Sequence, residues 1–93
     1  MKYSEQQLDD IRKYAENLTR ISDIAVLMQL DERTLREDIA DSENPASVVY
    51  RVGKATTSLR IRQNELQLAD AGSPLAVQLM SNYIHEMDAD EDL

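Results

Sequence analysis

Cysteine is absent from this 93-residue chain, and glycine and proline occur only twice each. Without cysteine, neither a disulfide framework nor a thiolate metal site can form. The one histidine, His85, has no cysteine companion, and Glu86 beside it points to a different side of a helix, so neither a metal centre nor a catalytic triad is expected. There is no glycine-rich loop to cradle a nucleotide phosphate, which excludes a P-loop motor. The acids Asp88, Asp90 and Asp92 alternate as at the start of an EF-hand, but the turn glycine and distal glutamate are missing. The segment MKYSEQQLDD lacks an apolar run of signal-peptide length, and no stretch approaches the ~18–20 apolar residues of a membrane span. These absences predict a soluble, non-enzymatic cytoplasmic protein with no cofactor, no metal and no membrane partner.

With 42% apolar residues, the chain predicts one small domain or a smaller one plus an extension, with a thin stability margin unless subunits associate. Because glycine and proline are scarce, each one punctuates. Ser4 to Gln7 form a capping box, and Leu8, Ile11, Tyr14, Ala15 and Leu18 then recur at helical spacing, giving a helix over about 5–18. Thr19, or alternatively Ser22, is the expected N-cap of a second helix, and Asp31 that of a third running to about Asp41. Asn44 caps and Pro45 starts a helix of about 27 residues with no stop before Gly72. Gly53 inside it signals a kink or a close helix approach. Ser73 and Pro74 start a last helix reaching Met87, followed by a frayed acidic tail over 88–93. The fold class is therefore all-α: a three-helix unit over 1–43, then over 44–87 a long helix and a C-terminal helix forming an antiparallel hairpin.

Residues 21–39 carry the most specific spacing. Ile21, Ile24, Ala25 and Met28 form one stripe, Leu30 fills a turn, and Leu35 and Ile39 form the next stripe after Asp31, the layout of a helix-turn-helix. Ala25 is small where the second helix must cross close above the first. At about 100° per residue the long helix places Val48, Val49, Val52, Ala55, Leu59 and Leu66 on one arc, the expected core face. Tyr50, Thr57, Ile61 and Leu68 fall on the far side and suggest an oligomer interface; the alternatives are scattered surface apolars or cover by the final helix.

The net charge of −8 argues against binding nucleic acid by bulk electrostatics. The charge is uneven, however. No acid stands between Glu43 and Glu65, where Arg51, Lys54 and Arg62 share one side of the helix. The third helix is acidic, with Arg33, Thr34 and Arg36 its only plausible readers of bases and phosphates. The basic stripe is either a solvated face, a phosphate-contacting surface, or a partner for the acidic third helix of a neighbouring subunit.

Ile21, Ile24, Ala25, Met28, Leu30, Asp31, Thr34, Leu35 and Ile39 resemble the helix-turn-helix of many phage and bacterial regulators, with Gln29 where glycine is usual, so that the turn must strain a side chain or take another geometry. Leu66, Ala69, Gly72, Ser73 and Ala76, followed by Met80 and Tyr83, are similar to the junction and aromatic-bearing helix of small-terminase-like phage proteins. The resemblance implies a DNA-packaging recognition subunit of a phage or prophage, acting in the cytoplasm of a bacterial host cell, assembling as a homo-oligomeric ring and handing DNA to a separate large motor subunit. Its basic tail is replaced here by HEMDADEDL. The rival readings are a protein-interaction module that keeps the helix-turn-helix shape without binding DNA, and a dimeric transcription regulator.

Overall fold

The computed structural model describes residues 1–91 and is helical throughout, with no strand among the described residues. Five helices follow in order: α1 (Glu5–Glu16), α2 (Ile21–Met28), α3 (Glu32–Ala40), α4 (Pro45–Asp70) and α5 (Pro74–Asp90). They form two compact units that divide after Thr57, inside α4, and not at residue 43.

In the first unit the helix starts follow local chemistry. The Ser4 hydroxyl accepts the Gln7 amide at 3.1 Å and the Gln7 side chain accepts the Ser4 amide at 2.9 Å, closing the expected capping box. Asp31 caps α3 by accepting the Thr34 amide at 2.9 Å, and Asn44 accepts the Ala46 amide at 2.9 Å where α4 begins. The cap of α2 is a correction. Arg20 occupies the position with no side-chain hydrogen bond, and the Thr19 amide is instead drawn back to the Tyr14 carbonyl at 3.0 Å.

That bond ends α1 at Glu16, two residues before the predicted boundary. Leu18 takes a left-handed φ of 58°, so the chain reverses in a Schellman-type turn whose amide reaches back five residues. Helix α2 ends in the same way, with Gln29 at φ 57° and the Leu30 amide on the Ala25 carbonyl at 2.9 Å. Gln29 thus adopts the glycine conformation with a side chain attached, which costs about 1–2 kcal/mol.

Ile11, Ile24, Ala25, Leu35 and Ala46 form the core of this unit, with Tyr14, Val49 and Tyr50 among those packed around it. The buried face of α4 corrects the wheel. Val48 and Val52 are 45% and 49% exposed, whereas Thr57 is 4% exposed and Ala46, Ser47 and Gly53 are also buried. The small-residue arc faces inward because it lets the α4 backbone meet α1. A Cβ on Gly53 would overlap the Arg12 carbonyl oxygen and lie 2.9 Å from the Ala15 Cβ. The Thr57 hydroxyl donates to the Glu16 carbonyl, satisfying a group left open at the end of α1.

The second unit holds residues 58–70 of α4 and α5. Gly72 makes the turn at φ 96°, and the Ser73 amide returns to the Leu68 carbonyl at 3.0 Å. Ser73 caps α5 through the Ala76 amide at 3.3 Å, with Pro74 at the helix start. Helix α5 folds back so that Glu86 meets Arg62, the expected antiparallel hairpin. It continues past Met87 and takes Asp88 and Asp90 into the helix; Asp92 and Leu93, the end of the expected acidic tail, lie outside the described residues. Ala76 is the one fully buried side chain described in this unit.

Candidate functional site

The cations singled out in the sequence divide by whether a carboxylate already holds them. On α3, Arg33 pairs with Glu37 at 3.2 Å and Arg36 with Glu32 at 3.1 Å, each one helical turn away. Thr34 is engaged too, its hydroxyl donating to Asp31 at 2.8 Å. The Asp31 carboxyl is held below the usual aspartate range, chiefly by the Thr34 amide and then by the Thr34 hydroxyl. Every residue expected to read DNA from α3 is therefore tied to its own helix or cap.

Arg62 is also engaged by a carboxylate. Its guanidinium bonds Glu86 at 3.0 Å and lies 4.9 Å from the centroid of the Tyr83 ring, so it clasps α4 to α5 by an ion pair and a cation–π contact. The adjacent cavity, lined by Arg62, Tyr83, Glu86, Met87 and Asp90, holds two carboxylates against one engaged cation. In contrast, Arg51 bonds only the Ser47 hydroxyl and the Ser42 carbonyl. Neither it nor Lys54 forms an ion pair among the described residues.

Lys54 lines a second cavity of about 230 Å³ in the first unit, with Ala15, Leu18, Thr19, Arg20 and Tyr50. Arg20 and Thr19 escaped the sequence reading because Thr19 was assigned to capping. The available signal was the basic residue just before the α2 stripe.

The expected interface seam also divides. Thr57 is buried and Tyr50 half-buried in their own unit, so both are corrected from the seam to the intramolecular core. Ile61 and Leu68 remain 41% and 53% exposed. On the opposite side of the same stretch of α4, Leu59 and Leu66 are exposed as well, and α5 exposes Leu75, Val77, Ile84 and Met87. Among the described residues no group of three or more acidic, histidine or cysteine side chains could hold a metal ion, and no helix is long and apolar enough to cross a membrane.

Comparison with protein-family models, curated proteins and solved structures yields no match.

Proposed function

We propose that this protein is a non-enzymatic, DNA-associated adaptor that works as a homo-oligomer, a small-terminase-like recognition subunit in the sense its residues resemble. The observation that carries the reading is the hairpin of the second unit, which has, among the described residues, one fully buried side chain and eight exposed large apolar residues. A unit under ~40 residues usually needs disulfides, metal or association to hold together. Association would cover these exposed apolar side chains; a standard interface buries ~800 Å² per partner.

On α4, Leu59 and Leu66 lie roughly opposite Ile61 and Leu68 at ~100° per residue. A two-fold dimer through one arc leaves the other in water. A heterologous contact, one arc of each chain against a different face of the next, covers both and closes into a ring when the rotation permits. DNA association is supported by the two short helices around Gln29 and by Arg51 and Lys54, and the large motor subunit enters only as the partner the resemblance implies.

Native mass measured by light scattering tests the reading, with a closed ring expected. A dimer would favour the transcription-regulator alternative, and a monomer would count against both. The protein-interaction alternative is favoured by a specific observation, the pairing of Arg33 and Arg36 with acids of their own helix. It takes the lead if no DNA is retarded at ~50 mM salt, where phosphate contacts are strongest.

A further inference from the structure

We propose that the cavity at the corner of α1 and α2, lined by Thr19, Arg20, Tyr50 and Lys54, is a binding site for a single phosphate group, taken from a DNA backbone. The inference rests on the DNA-associated reading above and gives it a location away from α3.

In a chain of net charge −8, the polar side chains lining this cavity are two cations and two hydroxyls, with no carboxylate among them. Lys54 is in no ion pair among the described residues. Arg20 is engaged by Asp23 through its Nε at 3.1 Å and an Nη at 3.4 Å, in a contact whose partners are 79% and 49% exposed. Such an exposed pair contributes little to stability, and a phosphate would compete with Asp23 for the Arg20 guanidinium. Among the described residues neither Tyr50 nor Thr19 has a side-chain hydrogen-bond partner, so both hydroxyls are available to donate.

Size and rigidity agree with this chemistry. At about 230 Å³ the cavity is smaller than the ~300–1,000 Å³ usual for cofactor and drug-sized ligands. Tyr50 is fixed against the core, and Lys54 follows Gly53, whose backbone lies against α1. Arg20 stands at the N-cap of α2 without a side-chain cap hydrogen bond. Arg33, Arg36 and Arg62 are paired in the same exposed way as Arg20; what sets Arg20 apart is that Lys54, a cation in no ion pair among the described residues, lines the same cavity.

The test compares the full-length wild type with the Arg20→Gln/Lys54→Gln double variant, using a ~20-base-pair duplex and, separately, inorganic phosphate. A Lys2→Gln/Lys13→Gln variant removes the same charge elsewhere, and light scattering checks that all three share one mass, since lost avidity alone weakens binding. The double variant is expected to bind the duplex about tenfold more weakly at ~50 mM salt, with a log–log salt slope shallower by about one, and the charge control to stay within about twofold. Inorganic phosphate is expected to shift the amide resonances of Thr19, Arg20, Ile21 and Lys54 in the wild type only. Equal duplex binding by the double variant and the charge control overturns the site and leaves the DNA reading standing. Phosphate shifts without duplex binding keep the site as one for free phosphate and overturn the DNA reading. No response to either probe overturns both.

Discussion

At position 53 two effects of a missing side chain oppose each other, and their sizes decide the outcome. Alanine in place of glycine inside a helix gains about 1 kcal/mol in helix propensity. Here the added methyl would run into the Arg12 carbonyl oxygen and the Ala15 side chain, and forcing atoms into a packed contact costs ~1–3 kcal/mol. The nearest obstacle is backbone, which cannot rotate away. Gly53→Ala is therefore expected to lower stability in chemical denaturation, against its propensity. Thr57→Val, which keeps the shape but strips the donor from the Glu16 carbonyl, is expected to cost ~1–3 kcal/mol by the same assay. Asp31 gives a pH dependence. Its folded-state carboxyl lies below the ordinary value because it accepts hydrogen bonds from Thr34, so its contribution is present above the unfolded value, near pH ~4, and is lost as pH falls through the lower folded value. Asp31→Asn, which still caps, should flatten the fall in melting temperature below pH ~4; an unchanged acid limb would remove Asp31 as its cause.

Helix ends were legible in the sequence where the determining contact lies within three residues. Ser4, Asp31, Asn44 and Ser73 each bond an amide two or three positions ahead, and all four starts match expectation. The α2 start did not, because Thr19 answers to Tyr14 behind it. The inward arc of α4 was illegible for another reason. Periodicity shows that a helix has two apolar faces but not which one meets a neighbour, and valines outweigh Ala46, Gly53 and Thr57 on any hydropathy count. Close approach reversed that order. At the end of α2, Gln29 in the left-handed region predicts that Gln29→Gly gains stability. Relief of ~1–2 kcal/mol of strain exceeds the ~0.5–1 kcal/mol entropic cost of glycine, so a small rise in melting temperature is expected, and a fall would show that the Gln29 side chain has a compensating contact.

For the whole molecule the question is what covers the second unit. If copies of the chain cover one another, melting temperature must rise with protein concentration, because association stabilises by mass action. Ile61→Asp places a charge in one of the exposed arcs, which costs several kcal/mol in a buried interface and almost nothing in water. It should yield smaller species with helicity retained. Unchanged mass would clear Ile61 of any interface, and lost helicity would place it in a subunit core. The candidate site was the least legible part of the sequence. Charge spacing located Arg51, Lys54 and Arg62 on one side of α4, but only the fold reveals that Glu86 claims Arg62 from 24 residues away, while Lys54 meets Arg20 across a cavity.

Helix α2 is the shortest of the five and lacks a side-chain cap, and left-handed residues bracket it at Leu18 and Gln29. Length and capping alone would make it the first element to fray. Yet Ile24 and Ala25, at 0% and 2% exposure, stand at the centre of the core, so opening α2 means dismantling the first unit. In native-state hydrogen exchange this reverses the order of protection: the amides of Ala25 and Met28 should exchange only with global unfolding of that unit, alongside Ile11 in α1, while the outer turns of the longer α5 exchange through local opening. The strained turns persist because the buried pair between them leaves no cheaper way to relax.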